Sequence, residues 1–128
     1  MTAAPTRSDA TPSLRLPPER RMRRPAEFKH VYAVGKRLGD EFFTVNAQAN
    51  GLGSARLGMS IAARILRRAV DRNRVRRLIR ESFRVHQQGL PAIDIVIGAR
   101  AGVLAADNAR LRSALEQLWQ RMSSTCAS

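Results

Sequence analysis

The chain has 128 residues, room for one domain with a modest core and little for a second. Lys and Arg number 23 against 10 Asp and Glu, a formal net charge of +13, and every basic residue except Lys29 and Lys36 is an arginine. Self-repulsion on that scale calls for a polyanionic partner, nucleic acid ahead of an anionic membrane, because the planar guanidinium fork suits phosphate oxygens.

The lone cysteine, Cys126, allows neither a disulfide framework nor a cysteine metal cluster within one chain. His30 and His86 stand apart from any acidic pair, so no metal site is expected. No run approaches the ~18 apolar residues of a spanning helix, and the first residues lack the apolar stretch of a secretory signal. A cytoplasmic protein that does not use the membrane is expected.

Residues 1–20 are polar and broken by Pro5, Pro12, Pro17 and Pro18, and are expected to form a disordered basic tail. The folded domain is expected over 21–123, with a flexible end at 124–128. Arg20, Arg21, Arg23 and Arg24 make a basic run at the junction, placed to touch nucleic acid. Pro25 in an opening turn and Gly35 as a stop predict a short helix, with Phe28, Val31 and Tyr32 on one side. A short strand around Arg37–Leu38 follows, with a kink at Gly39.

In DEFFTVNAQA the alternation sends Phe43, Val45 and Ala47 to a core and Phe42, Thr44, Asn46 and Gln48 outward. Asn50-Gly51-Leu52-Gly53 predicts a turn, and 55–62 a returning antiparallel strand. A long helix is expected from about Arg64 to His86, ended by Gly89 and Pro91. Ile93-Asp94-Ile95-Val96-Ile97 is a strand covered on both faces. Asp107 is placed to cap a last helix whose apolar stripe is Leu111, Leu115, Leu118, Trp119 and Met122. The order is α-β-β-β-α-β-α, a single α/β domain.

The stretch DRNRVRRLIRESFR, residues 71–84, sorts into two sides at ~100° per residue. Val75, Leu78, Ile79 and Ser82 cluster, with Phe83 at the margin; Asn73, Arg76, Arg77, Arg80 and Arg84 fall almost opposite. Asp71 and Glu81 are the only acids among nine arginines from Arg64 to Arg84. Like charges at i,i+4 cost a few tenths of a kcal/mol each, so a ridge this one-sided is costly unless an anion binds it. Arg72 and Arg74 project elsewhere, one of them free to pair with Asp71, Glu81 or Asp94. Asn73 has poor propensity inside a helix; it suits either a base edge or ribose hydroxyl, or local capping.

RNRVRRLIRESFR, preceded by RLGMSIAARILRRAVD, resembles the signature region of bacterial ribonuclease P protein subunits. PAEFKHVYAVGKR resembles their first helix, and LPAIDIVIGARAGV with DNARLRSALEQLWQR their last strand and helix. The resemblance covers about residues 14–122. It implies a two-layer α/β sandwich like the second domain of ribosomal protein S5, with a left-handed β-α-β crossover, a hand that periodicity does not reveal.

The resemblance also implies partners. In the family the protein binds a large catalytic RNA, and the RNA, with its own Mg²⁺, removes the 5′ leader of precursor tRNA. The signature helix lies near the RNA active site, and a cleft between the first helix and the sheet holds the single-stranded leader. Carried over by position, Arg72, Asn73, Arg74, Arg76, Arg77 and Arg80 match the signature; with Arg64, Arg68 and Arg84 from the same arginine-rich stretch they make the expected RNA-binding set. The leader-cleft set is Phe28, Tyr32, Phe42, Thr44 and Asn46. The chain departs from the family pattern at Ala63-Arg64 and Arg100-Ala101, where paired basic residues are frequent, and at Arg24, where Thr or Ser often caps the first helix.

The residues alone support a subunit without chemistry of its own. They offer no nucleophile–base pair, no paired carboxylates and no metal-ligand cluster, and no small-molecule substrate is expected. Two other classes stay open on the residues: a DNA-binding regulator with the arginine helix in a major groove, and a ribosomal-type or RNA-chaperone protein.

Overall fold

The structure is a computed structural model that describes residues 20–126. The expected tail therefore lies outside the described residues, apart from Arg20. Helix α1 (Pro25–Val34) leads into β1 (Lys36–Gly39), β2 (Phe43–Ala49) and β3 (Arg56–Met59). Then come α2 (Ala69–His86), β4 (Ile93–Ala99) and α3 (Asn108–Cys126). The boundary expected at residue 123 falls inside α3.

The sheet order is β1-β2-β4-β3. β1 and β2 are antiparallel, as are β2 and β4, but β3 and β4 are parallel neighbours joined through α2. The returning strand at 55–62 is thus corrected. It runs opposite to β2 without pairing with it, because β4 lies between them. The reason is burial: Ile93 to Gly98 are all buried, and a strand covered on both faces takes the centre of a sheet. The 50–53 turn forms as expected, with Gly51 and Gly53 at φ of 68° and 86°. Asn50 Oδ1 accepts from the Leu52 N–H at 2.8 Å, and the Asn50 N–H donates to Ala92 O at 3.0 Å, so the loop steps across the start of β4.

Strand alternation divides the interior. Phe43, Val45, Ala47, Ile93, Ile95 and Ile97 join Val75, Leu78, Ile79, Phe83, Leu111, Leu115, Leu118 and Trp119 in the main core, between the sheet and α2–α3. Trp119 packs edge-on against Phe83 at 5.9 Å, and its Nε1–H donates to the buried Ser82 Oγ at 2.7 Å, pinning α3 to α2. α3 is capped as expected, the Arg110 N–H donating to Asp107 Oδ1 at 2.9 Å.

The other sheet face carries α1 over one half only. Val31 and Val96 are buried together with Met22, and Phe28 packs against them. Arg56 grips Asp94 with a two-pronged fork, Nε to Oδ1 at 2.8 Å and Nη2 to Oδ2 at 2.7 Å, and Nη1 donates to Glu27 Oε2 at 2.9 Å. The Asp94 hydrogen bonds raise the proton affinity of Arg56 against the opposing effect of burial. Glu27 Oε1 also accepts from the main-chain N–H of Arg23 and Arg24, at 3.2 and 3.1 Å. Arg24 cannot accept a cap bond as Ser or Thr would, so Glu27 satisfies the helix start by reaching back.

Helix α2 begins at Ala69, not near Arg64. The chain must first turn from the sheet edge onto the helical layer, and buried Leu66 pins that turn into the core. Arg72 Nη1 donates to Leu66 O and Arg67 O, both at 2.9 Å, and holds the turn closed.

Candidate nucleic-acid interface

The buried residues of α2 are Val75, Leu78, Ile79, Ser82 and Phe83, the side that the periodicity assigns to the core. Opposite them, Asn73 and Arg77 are exposed and Arg76, Arg80 and Arg84 half-buried. None of these five side chains reaches an acidic partner among the described residues. The Nε atoms of Arg80 and Arg84 are buried without a hydrogen-bond partner among the described residues, and so is that of Arg21.

Arg21 belongs to a short extension of the sheet. It forms a parallel bridge with Leu57, the Met22 N–H donates to Leu57 O at 2.9 Å, and Arg20 Nη1 donates to Gln87 Oε1 at 2.9 Å. These contacts draw the basic run at 20–24 toward the α2 ridge. Burial lowers the proton affinity of Arg80 first, and the positive charges of Arg76, Arg77 and Arg21 lower it further. Guanidinium groups remain charged under these conditions, so the ridge stores unrelieved repulsion and unmade hydrogen bonds. An oxyanion at the outer guanidinium nitrogens would relieve the repulsion.

Arg72 and Arg74, on either side of Asn73, have other employment. Arg72 closes the 61–68 turn as described. Arg74 Nε donates to Asn108 Oδ1 at 2.8 Å, and Nη2 and Nη1 reach Ala106 O and Val103 O at 2.6 and 3.4 Å. The expected pairing of one of them with Asp71, Glu81 or Asp94 is thus corrected: both bind main-chain carbonyls, and Asp94 belongs to Arg56. Arg68 precedes the helix, exposed, 3.9 Å from the Asp71 carboxylate.

On the sheet face that α1 leaves open lies a groove of about 480 Å³. Tyr32, Thr44, Asn46, Arg64, Ile65 and Arg100 are among its lining residues. Arg64 therefore joins the groove rather than the ridge. Gly98 lets the floor lie flat: a Cβ there would meet Thr44 Oγ1 at 2.6 Å. Asn46 Oδ1 is buried with no hydrogen-bond partner among the described residues.

Two cleft candidates lie elsewhere. Phe28 covers β3, its ring where a Cβ on Gly58 would come within 2.7 Å. Phe42 does not face outward: it is buried in the main core, edge-on to Phe43 at 6.5 Å and beneath Arg110 at 5.3 Å. The cause is the turn before β2, where Asp40 Oδ1 accepts from the N–H of both Phe42 and Phe43 and breaks the alternation. Arg100 is a groove residue that the helical periodicity does not disclose; its place directly after β4 is the signal.

Among the described residues no helix is long and apolar enough to cross a membrane, and no group of three His, Cys, Asp or Glu side chains is arranged to hold a metal ion.

A family model described as Ribonuclease P matches residues 16–123. The chain is 45% identical over 107 residues to the ribonuclease P protein component of Thioalkalivibrio sulfidiphilus, a match that covers 84% of this chain and 89% of that one. Against the ribonuclease P protein component of Salmonella newport it is 44% identical over 108 residues, covering 84% and 91%. The solved ribonuclease P protein of Staphylococcus aureus matches with a TM-score of 0.72 at 30% identity, covering 77% of this chain and 90% of that one. That of Thermotoga maritima matches with a TM-score of 0.72 at 30% identity, covering 79% and 96%. With sequence, fold and ridge in agreement, the chain belongs to the ribonuclease P protein family, the protein component of an endoribonuclease complex that processes the 5′ ends of tRNA.

Proposed function

We propose that the protein docks the catalytic RNA on the α2 ridge and cradles the 5′ leader of precursor tRNA in the groove beside α1, while the RNA carries out hydrolysis. The observation that carries this reading is the set of buried, unpartnered guanidinium nitrogens on Arg21, Arg80 and Arg84. A lone cation would be solvated or paired; several held together without acids suit a run of phosphates. Asn73, exposed among them, can donate and accept, which suits a base edge or a ribose hydroxyl.

The groove supplies what an unpaired strand needs: the half-exposed Tyr32 ring for stacking, Thr44 and Asn46 for hydrogen bonds, and Arg64 and Arg100 for the backbone. Mg²⁺ is assigned to the RNA, and the protein acts on it only by neutralising phosphates that would otherwise repel one another.

The test is reconstitution with a bacterial ribonuclease P RNA at low Mg²⁺. Added protein should restore 5′-leader removal, and Tyr32→Ala should reduce the preference for precursor over mature tRNA. An RNA equally active with and without the protein would contradict the reading.

A further inference from the structure

The groove does not stop at the middle of the sheet. Thr44, Asn46 and Arg100 line it and also line a second opening of about 590 Å³ that runs on to the β1 edge, past Arg37, Gly39 and Arg121. The register sets Arg37 opposite Asn46 and Gly39 opposite Thr44, so Arg37 stands on the groove face. Arg121 arrives from the helical layer. Its Nη1 donates to Gly39 O at 3.0 Å, which anchors an otherwise exposed guanidinium at the sheet edge.

The side chains of Arg37 and Arg100, both exposed, have no hydrogen bond or ion pair among the described residues. The carboxylate of the opening, Asp40, is turned onto the Phe42 and Phe43 amides at 2.8 and 2.9 Å. Three guanidinium groups thus surround a polar floor whose Asn46 Oδ1 lacks a donor.

These cations are strung along a path rather than focused on a point. From Ser60 beside β3 to Arg37 on β1 the path takes three inter-strand steps of about 4.8 Å, or about 14 Å in all. At about 3.4 Å per phosphate in a stacked strand, roughly four nucleotides fill it. We propose that Arg37, Arg100 and Arg121 form a second cationic subsite that holds the backbone of the leader beyond Tyr32. The inference rests on the leader reading above. It also gives the strand a direction. The Tyr32 end adjoins Arg64 and the turn into α2, where the catalytic RNA docks, so nucleotides next to the cleavage site lie there. The distal ones reach the β1 edge.

Leader length separates this subsite from every other role of the two outer arginines. The full chain carrying Arg37→Gln and Arg121→Gln, assembled with ribonuclease P RNA, is compared with the parent and with Tyr32→Ala for binding precursor tRNA. Leaders of about two and about ten nucleotides are used, with melting midpoints as a check on folding. The double variant should bind the long leader roughly ten-fold more weakly, with a log–log salt slope reduced by about 1.4, and should bind the short leader as the parent does. Equal losses on both leaders would overturn the subsite. So would an undiminished long-leader affinity in the double variant when Tyr32→Ala is impaired; in that case the leader reading stands and its extension falls. If Tyr32→Ala also binds the long leader normally, the leader reading itself fails.

Discussion

Arg80 is half-buried, its Nε without a hydrogen-bond partner among the described residues while Arg76, Arg77 and Arg21 act on it with like charge. An interaction that opposes the free fold and favours the complex has a two-sided signature. Arg80→Met keeps the aliphatic stem and removes the charge. The free protein should gain about 0.5 kcal/mol, seen as a rise of a few degrees in the melting midpoint. RNA binding should weaken about ten-fold or more, the worth of one charge-assisted hydrogen bond. A variant that loses both stability and binding would mean that Arg80 is a packing residue.

Glu27 works in the opposite sense. Burial on its own would raise its proton affinity, but the Arg24 and Arg23 amides and the Arg56 guanidinium outweigh it and hold the carboxyl below its ordinary value of 4.5. A carboxyl that ionises more readily in the fold stabilises it fully above the unfolded value. That contribution is lost as the pH falls from there through the folded value. Glu27→Gln should therefore be less stable than the parent at neutral pH by about 1 kcal/mol, because the amide oxygen can still accept at the helix start but without the charge that strengthens those bonds and pairs with Arg56. The two curves should converge as the pH falls from the ordinary carboxyl value through the lower value of the folded state. A difference unchanged down to strong acid would exclude the carboxylate as its source.

At the level of elements, α2 divides its arginines between two tasks. Arg72 and Arg74 tie the helix to the 61–68 turn and to the start of α3, whereas the ridge arginines make no ion pair among the described residues. Arg74→Ala should lower the stability by about 2 kcal/mol, because carbonyls of Ala106 and Val103 lose their donor, and should leave the salt slope of RNA binding unchanged. Chemical denaturation and a salt titration on the same sample check both parts.

This division is only half legible in the sequence. Burying Val75, Leu78, Ile79 and Phe83 fixes the opposite side of a 3.6-residue repeat, so Asn73, Arg76, Arg77, Arg80 and Arg84 could be placed without coordinates. Nothing in ARILRRA breaks a helix, however. That the chain turns there, with Leu66 as its pin, depends on the distance from the sheet edge to the helical layer. Likewise two glycines after β2 suit a hairpin, and only the competition for the central position reveals that β4 wins it. Alternation misplaces Phe42, because the Asp40 turn resets the phase one residue before the strand begins.

Across the whole molecule the charge is organised rather than spread. The ridge and the groove are cationic, and the two acids Glu27 and Asp94 share Arg56 on the α1 side of the sheet. The net +13 was plain from composition. That Arg21, Arg100 and Arg121 converge on the two surfaces was not, since they come from a sheet-edge bridge, a strand end and the far helix. If the ridge neutralises phosphates, a quantitative demand follows: each phosphate engaged contributes about 0.7 to 0.9 to the log–log dependence of affinity on salt. The decisive measurement is the affinity of the parent and of the Arg76→Ala, Arg80→Ala double variant for ribonuclease P RNA, titrated from about 50 to 200 mM salt. The double variant should keep its fold while its slope drops by roughly 1.5 to 2; an undiminished slope and affinity would show that the RNA docks elsewhere.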